Sequence, residues 1–222
     1  MIAVLTHARP GGVSYLRGTL AAVDASATGH RVVISDDAGS LPTVPMPWEV
    51  DRFARPVTAR PENRWALWRA FTLAHERGED LVVCEDDIAL CRNGAAHAER
   101  LHVPHDVAWV SLYDQHHRHS APHGLSRWKA ATFIYAQMVK FPLRTCTLFR
   151  NIGCQFFDRM GSDDQLAALG NLIGLSYAIH VPSIAQHVGA VSAVGNGDLA
   201  GRTSESFRAD YDPTTEDRRT FQ

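Results

Sequence analysis

LVVCEDDIALC, residues 81–91, decides how this chain is to be read. Leu81, Val82, Val83 and Cys84 form an apolar run of the kind a buried strand carries. Glu85, Asp86 and Asp87 follow it without a break. Three adjacent carboxylates repel one another, and none can be buried without a partner. Either the strand ends in solvent, or a positive charge belongs at its tip.

The neighbouring sequence gives that tip a setting. IAVLT (2–6) is a short apolar run ending at HARPGG, and RVVISDD (31–37) is a second buried strand that also ends in acids. Between them Leu16, Thr19, Leu20 and Val23 recur at helical spacing and predict a helix from about Val13 to Ala25. Residues 38–61 hold Pro42, Pro45, Pro47, Pro56 and Pro61, so loop with at most short elements is expected. Leu67, Ala70, Phe71 and Ala74 mark a second helix, with Pro61 and Glu62 in its first turn and Gly78 past its end.

Downstream, DVAWVSLYD (106–114) and ATFIYAQMVK (131–140) read as strands, and Pro142 opens a helix through Leu148. Ser162 and Gln165 have capping-box spacing ahead of a helix running to Gly174, and LSYAIHVP (175–182) is the last strand. From Gly195 the chain turns polar and glycine-rich, and residues 202–222 are expected to be a loosely held tail. Strands alternating with helices, with acids at the strand ends, form the pattern of an open α/β sheet. Such sheets bind ligands beyond the carboxyl ends of their strands. The acids lie there.

Composition sets the outer limits. With 222 residues, 45% hydrophobic and 21% charged, the chain suits one substantial domain and is not disordered overall. A formal charge of −2 provides no global basic field for nucleic acid or an acidic membrane. The 12 histidines make the charge sensitive to pH near neutrality. Cys84, Cys91, Cys146 and Cys154 show neither C-x-x-C pairing nor zinc-type spacing, and Cys84 reads as a buried thiol. Without a signal peptide or an apolar run of about 18 residues, no transmembrane segment is expected, and the expected location is cytoplasmic.

VLTHARP, RVVISDD, NRWALWRAFTLAHERGEDLVVCEDDIAL, SDDQLAALG and VPSIAQHVGAVS, in that order, resemble a nucleotide-sugar-dependent glycosyltransferase of the GT-A fold. The last piece is similar to the P-S-x-x-Q-H-x-G closing segment of some galactosyl- and N-acetylglucosaminyl-transferases. The resemblance spans most of residues 2–195, and it rests on the order of the pieces. It implies a single α/β domain over 1–195 with a mixed, mostly parallel sheet flanked by helices. A Rossmann-like nucleotide-sugar half would cover about 1–92 and an acceptor half 105–195, with 196–222 as a polar tail.

The resemblance also implies roles. Glu85 and Asp87 would be the outer positions of a D-x-D-like motif holding Mn²⁺ (or Mg²⁺), with His187 completing the metal site. Asp86 would meet the ribose or sugar hydroxyls of a nucleoside-diphosphate sugar, UDP being the expected nucleotide. Thr6 and Arg9 would face base, ribose or phosphate; Asp36 or Asp37, Asn63 and Arg64 would contact the nucleotide. Asp164, with Asp163 as substitute, would be the base of an inverting transfer to an acceptor hydroxyl. First-turn acids also complement a helix dipole without any catalytic purpose. The acceptor is open: a glycan, a lipid-linked sugar, a small molecule, a protein or a modified nucleic-acid base.

The cluster His116, His117, His119 and His123 reads as a loop over the acceptor cleft, because no Cys or acid is spaced to complete a metal site. Trp65, Trp68, Trp109 and Trp128 read mostly as core, with Trp128 also placed to stack on a sugar. Two other readings stand beside the transferase. One is a non-catalytic nucleotide-sugar-binding module. The other is a sugar-phosphate nucleotidyltransferase, against which RPGGVSYLRGTL lacks a G-x-G-T-R loop.

Overall fold

Three buried apolar runs form the centre of one sheet: β1 (Ile2–Thr6), β2 (Arg31–Ser35) and β4 (Leu81–Glu85). A computed structural model describes residues 1–7, 9, 13–35, 41–53, 64–114, 123–133, 136–152, 161–190 and 203–216. The remaining strands are β3 (Glu49–Arg52), β5 (Ile88–Leu90), β6 (Val110–Ser111), β7 (Gly124–Lys129), β8 (Met138–Phe141), β9 (Ser176–Val181) and β10 (Ala185–His187). The helices are α1 (Leu16–Asp24), α2 (Arg64–Arg77), α3 (Gly94–Arg100), α4 (Leu143–Ile152) and α5 (Ser162–Leu172).

The large sheet has the order β3-β2-β1-β4-β8-β6-β9-β7. β3, β2, β1 and β4 are parallel, and β6 and β9 are parallel to each other. β8 is antiparallel to β4 and β6, and β7 is antiparallel to β9. The fold is therefore α/β, with a mixed, mostly parallel central sheet between helical layers. Alternate side chains of each strand divide between two cores. Ala3, Leu5, Leu81 and Val83 pack with α2, α4 and α5, around Trp109 stacked on Tyr177 at 5.7 Å. Ile2, Val4, Val82 and Cys84 pack with Leu16, Leu20 and Val23 of α1 and with Ala95 and Ala98 of α3. No helix among the described residues is long and apolar enough to cross a membrane.

β1 is followed by β2 and β3 on one side, and the chain returns to β4 on the other. The order reverses between β1 and β4, and their carboxyl ends open the crevice where such sheets bind ligands. Thr6 ends β1, and Asp86 directly follows β4.

The proline-rich segment holds one short element, the edge strand β3, within the expected loop. Several other elements differ from the sequence expectation. In 106–114 only Val110–Ser111 pair as a strand, and 131–140 divides into a single 3-10 turn, Ala130–Thr132, and β8. Gly161, not Ser162, caps α5, and Ser162 Oγ donates to Asp163 Oδ1 (3.1 Å) instead of forming a capping box. Gly78 ends α2 as expected, at φ +67°. The expected loose tail is in part a docked segment. Phe207 and Tyr211 pack on the α1–α3 core, Arg92 N donates to the Ala209 carbonyl (3.0 Å), and Asn93 Nδ2 donates to Asp212 (2.8 Å).

Candidate functional site

The acid tip is shaped by a short turn and a second, smaller sheet. Asp86 and Asp87 turn the chain from β4 into β5, which pairs antiparallel with β10 and sets His187 opposite Ile88. Thr19 of α1 pins this turn: its Oγ1 donates to the Asp86 carbonyl (2.8 Å) and accepts from Ile88 N (3.0 Å). Val188 N donates to the Asp87 carbonyl (2.9 Å), so the strand pairing delivers the imidazole to the carboxylate. His187 Nε2 lies 3.2 Å from Asp87 Oδ2.

Arg9 is the positive charge facing the acids. Its guanidinium makes a two-pronged pair with Asp86, Nη1 to Oδ2 at 2.7 Å and Nη2 to Oδ1 at 2.6 Å, and Nη2 also reaches Asp87 Oδ2 at 3.0 Å. Thr6 Oγ1 donates to Asp86 Oδ2 (2.6 Å). The Tyr15 ring covers the guanidinium at 5.1 Å, and the Tyr15 hydroxyl accepts from Ala190 N (3.0 Å). A strap, 187–190, thus lies over the cluster. The side chains of Arg9, Asp86, Asp87 and His187 are all 6% exposed or less.

Burial alone would push the Asp87 carboxyl up, but the hydrogen bonds and charges of His187 and Arg9 outweigh it and hold the group below the usual range. Burial opposes the Arg9 charge too, and the two aspartates more than offset it, leaving the guanidinium above its ordinary value. Breaking one member of such a buried pair costs about 3–5 kcal/mol, because the other charge stays stranded. Cys84, fully buried behind the acids, is raised well above an ordinary thiol by desolvation and then by the acids themselves, so it is no nucleophile.

One atom in this network is unmet. Asp87 Oδ1 is buried and has no hydrogen-bond partner among the described residues. A buried polar atom left so costs roughly 1–3 kcal/mol, more when charged. Carboxylate oxygen and imidazole nitrogen suit Mn²⁺, and Mg²⁺ or Mn²⁺ commonly takes only one or two protein ligands beside phosphates and water. Asp87 and His187 fit that description. Glu85 shares β4's α2-side face with Leu81 and Val83 by strand alternation. Among the described residues no three His, Cys, Asp or Glu side chains form a group that could hold a metal.

The structure thus brings Thr6, Arg9, Asp86, Asp87 and His187 together, with Thr6 and Arg9 both bonded to Asp86. Asp163 and Asp164 occupy the first turn of α5. Asp36, Asp37, Asn63, His116, His117, His119 and Cys154 lie outside the described residues, as does the side chain of Arg64, whose backbone begins α2. His123 stands at the C-terminal segment, 3.5 Å from Glu216 and edge-on to Tyr211.

Two features escaped the sequence reading. Thr19 looked like a core position of α1, although a hydroxyl inside an apolar stripe is itself a sign of a specific bond. Trp65 and Trp68 are half-buried, not core. With Asp51, Arg52, Phe53 and Arg69 they line a cavity of about 580 Å³. Register carries Thr6 across Ser35 to Arg52, so this cavity lies, like the acids, toward the carboxyl ends of the strands, but beside α2 and the edge strand β3. No protein-family model matches the chain, and no curated protein matches it.

Proposed function

We propose that the protein is a metal-dependent glycosyltransferase that transfers a sugar from a nucleoside-diphosphate sugar, UDP being the expected nucleotide, to an acceptor hydroxyl. The observation that carries this reading is the unmet Asp87 Oδ1, buried beside His187 in the crevice between the carboxyl ends of β1 and β4. Asp87 and His187 would hold Mn²⁺ or Mg²⁺. Such an ion would contact the donor diphosphate and stabilise the charge that develops on the departing nucleotide.

The chain's own groups have the remaining tasks. Arg9 presents a planar fork that suits phosphate oxygens as well as carboxylates. The aromatic cavity of Phe53, Trp65 and Trp68 offers stacking faces for the base. The strap over the cluster keeps water from the donor. Asp164, or Asp163, takes the proton of the acceptor hydroxyl as it attacks the anomeric carbon, which one carboxylate suffices to do in an inverting transfer.

Calorimetric titration with UDP in the presence of Mn²⁺, on wild type, Asp87→Ala and His187→Ala, tests this reading. Metal-dependent UDP binding that weakens at least tenfold in both variants is expected; unchanged binding in both overturns it. A panel of nucleotide sugars scored for slow donor hydrolysis then identifies the donor. Absence of hydrolysis and transfer with intact binding would make the protein a binding module.

A further inference from the structure

Arg9 holds the place a metal-bound donor would need. Its two terminal nitrogens occupy both oxygens of Asp86 and the Oδ2 of Asp87, the atom that also faces His187. Without it, two adjacent buried carboxylates would face each other with no guanidinium between them. With it, one oxygen of Asp87 still lacks a partner among the described residues, so the guanidinium completes Asp86 but leaves Asp87 half-served. Arg9 is three residues beyond the end of β1 and reaches the acids on a long side chain. The face of Tyr15 guides it there.

We propose that Arg9 is a stand-in cation that exchanges partners when the donor binds. This rests on the reading of Asp87 and His187 as metal-holding residues. In the free protein Arg9 neutralises Asp86 and Asp87. On loading, Arg9 releases Asp87 and turns its fork to the donor diphosphate, whose geometry it matches as well as it matches a carboxylate. The exchange couples the two ligands. Metal alone must displace a guanidinium paired to both acids, so it binds weakly. Nucleoside diphosphate supplies the alternative partner, and each ligand then strengthens the other by the same factor.

The test is calorimetry of Mn²⁺ alone, and of Mn²⁺ with saturating UDP, on wild type and Arg9→Gln, together with thermal melting in each condition. Arg9→Gln is expected to bind Mn²⁺ alone at least tenfold more tightly than wild type. It is also expected to lose most of the enhancement UDP gives, and to melt lower without metal but gain more from Mn²⁺. If Arg9→Gln does not fold, Arg9→Met, which removes the charge and keeps a long unbranched side chain, carries the same comparison with the same sign. Equal or weaker binding of Mn²⁺ alone by the variant, with wild type still binding Mn²⁺ and UDP together, overturns the exchange and leaves the proposed function standing. Absence of Mn²⁺ binding in both proteins, with and without UDP, overturns both.

Discussion

Gly189 lies against Asp87 so closely that a Cβ on the glycine would stand 2.9 Å from the carboxylate carbon and closer still to Oδ2. The strap can pass over the acid only because residue 189 has no side chain. Gly189→Ala must therefore push the strap off or turn the carboxylate away from His187. Mn²⁺-dependent UDP binding is expected to weaken at least tenfold, with a stability loss of about 1–3 kcal/mol, the usual range for overpacking. Calorimetry and urea denaturation check the two effects separately, and an alanine variant with wild-type affinity would show that the strap does not shape the site.

Thr19 ties the acid turn to α1 through its hydroxyl alone. Thr19→Val keeps the shape but removes the acceptor for Ile88 N and the donor to the Asp86 carbonyl. A loss of about 1–3 kcal/mol is expected, since buried polar groups are left unmet. Urea midpoints measure it. The same variant should weaken Mn²⁺-dependent UDP binding, which a purely stabilising role elsewhere in the fold would not.

His97 of α3 and His180 of β9 meet with Nε2 atoms 2.9 Å apart, and His180 Nδ1 donates to the Pro182 carbonyl (2.7 Å). His180 Nε2 must then accept from His97, so a proton on His180 Nε2 would break the pair, and burial disfavours charge on either ring. Burial, aided by Arg100, lowers His97 to about 4, and burial, aided by His97, lowers His180 to about 3. The unfolded chain binds these protons first. Stability is therefore complete above the ordinary histidine value of about 6.5 and falls as pH drops from there toward the folded values, by up to roughly 1.4 kcal/mol per pH unit for each histidine. Urea midpoints between about pH 7 and pH 4.5 check the slope, and a flat profile over that range would remove the pair from the account.

Gly170 of α5 packs on the Ala130–Thr132 turn, where a Cβ would collide with the Ala130 Cβ and stand 3.0 Å from Trp109 Cη2. Gly170→Ala is expected to cost about 1–3 kcal/mol despite alanine's better helix propensity. Adding Ala130→Gly should recover part of the loss. Additive losses in the double variant, read from melting curves, would contradict the contact.

Much of the sheet was legible because its central strands are continuous apolar runs: β1, β2, β4 and β9 stand where those runs lie. The edge strands were not. Glu49, Val50 and Arg52 of β3 face solvent, so no buried face writes a pattern there, and β7 (GLSRWK) is half-exposed in the same way. β5 and β10 are too short for any periodicity, and α3 (GAAHAER) buries alanines in place of a stripe of large residues. In the site, motif order picked out Asp87 and His187 together. It did not reveal Arg9 as the acids' partner, because an ion pair across 77 positions depends on how the chain returns to β1, which no local spacing records.

The β5–β10 ribbon that carries His187 is held from beyond by the docked C-terminal segment. Ser204 N donates to Gln186 Oε1 (2.9 Å), beside His187, and Asn93 Nδ2 donates to Asp212 across 119 positions of sequence. A shortened chain ending near residue 200 would strip these ties and uncover the floor beneath Phe207 and Tyr211. The stretch that sequence alone assigned to a trailing end is thus the outer brace of the β5–β10 wall. Any minimal folded fragment should be cut after Glu216, not before Ser204.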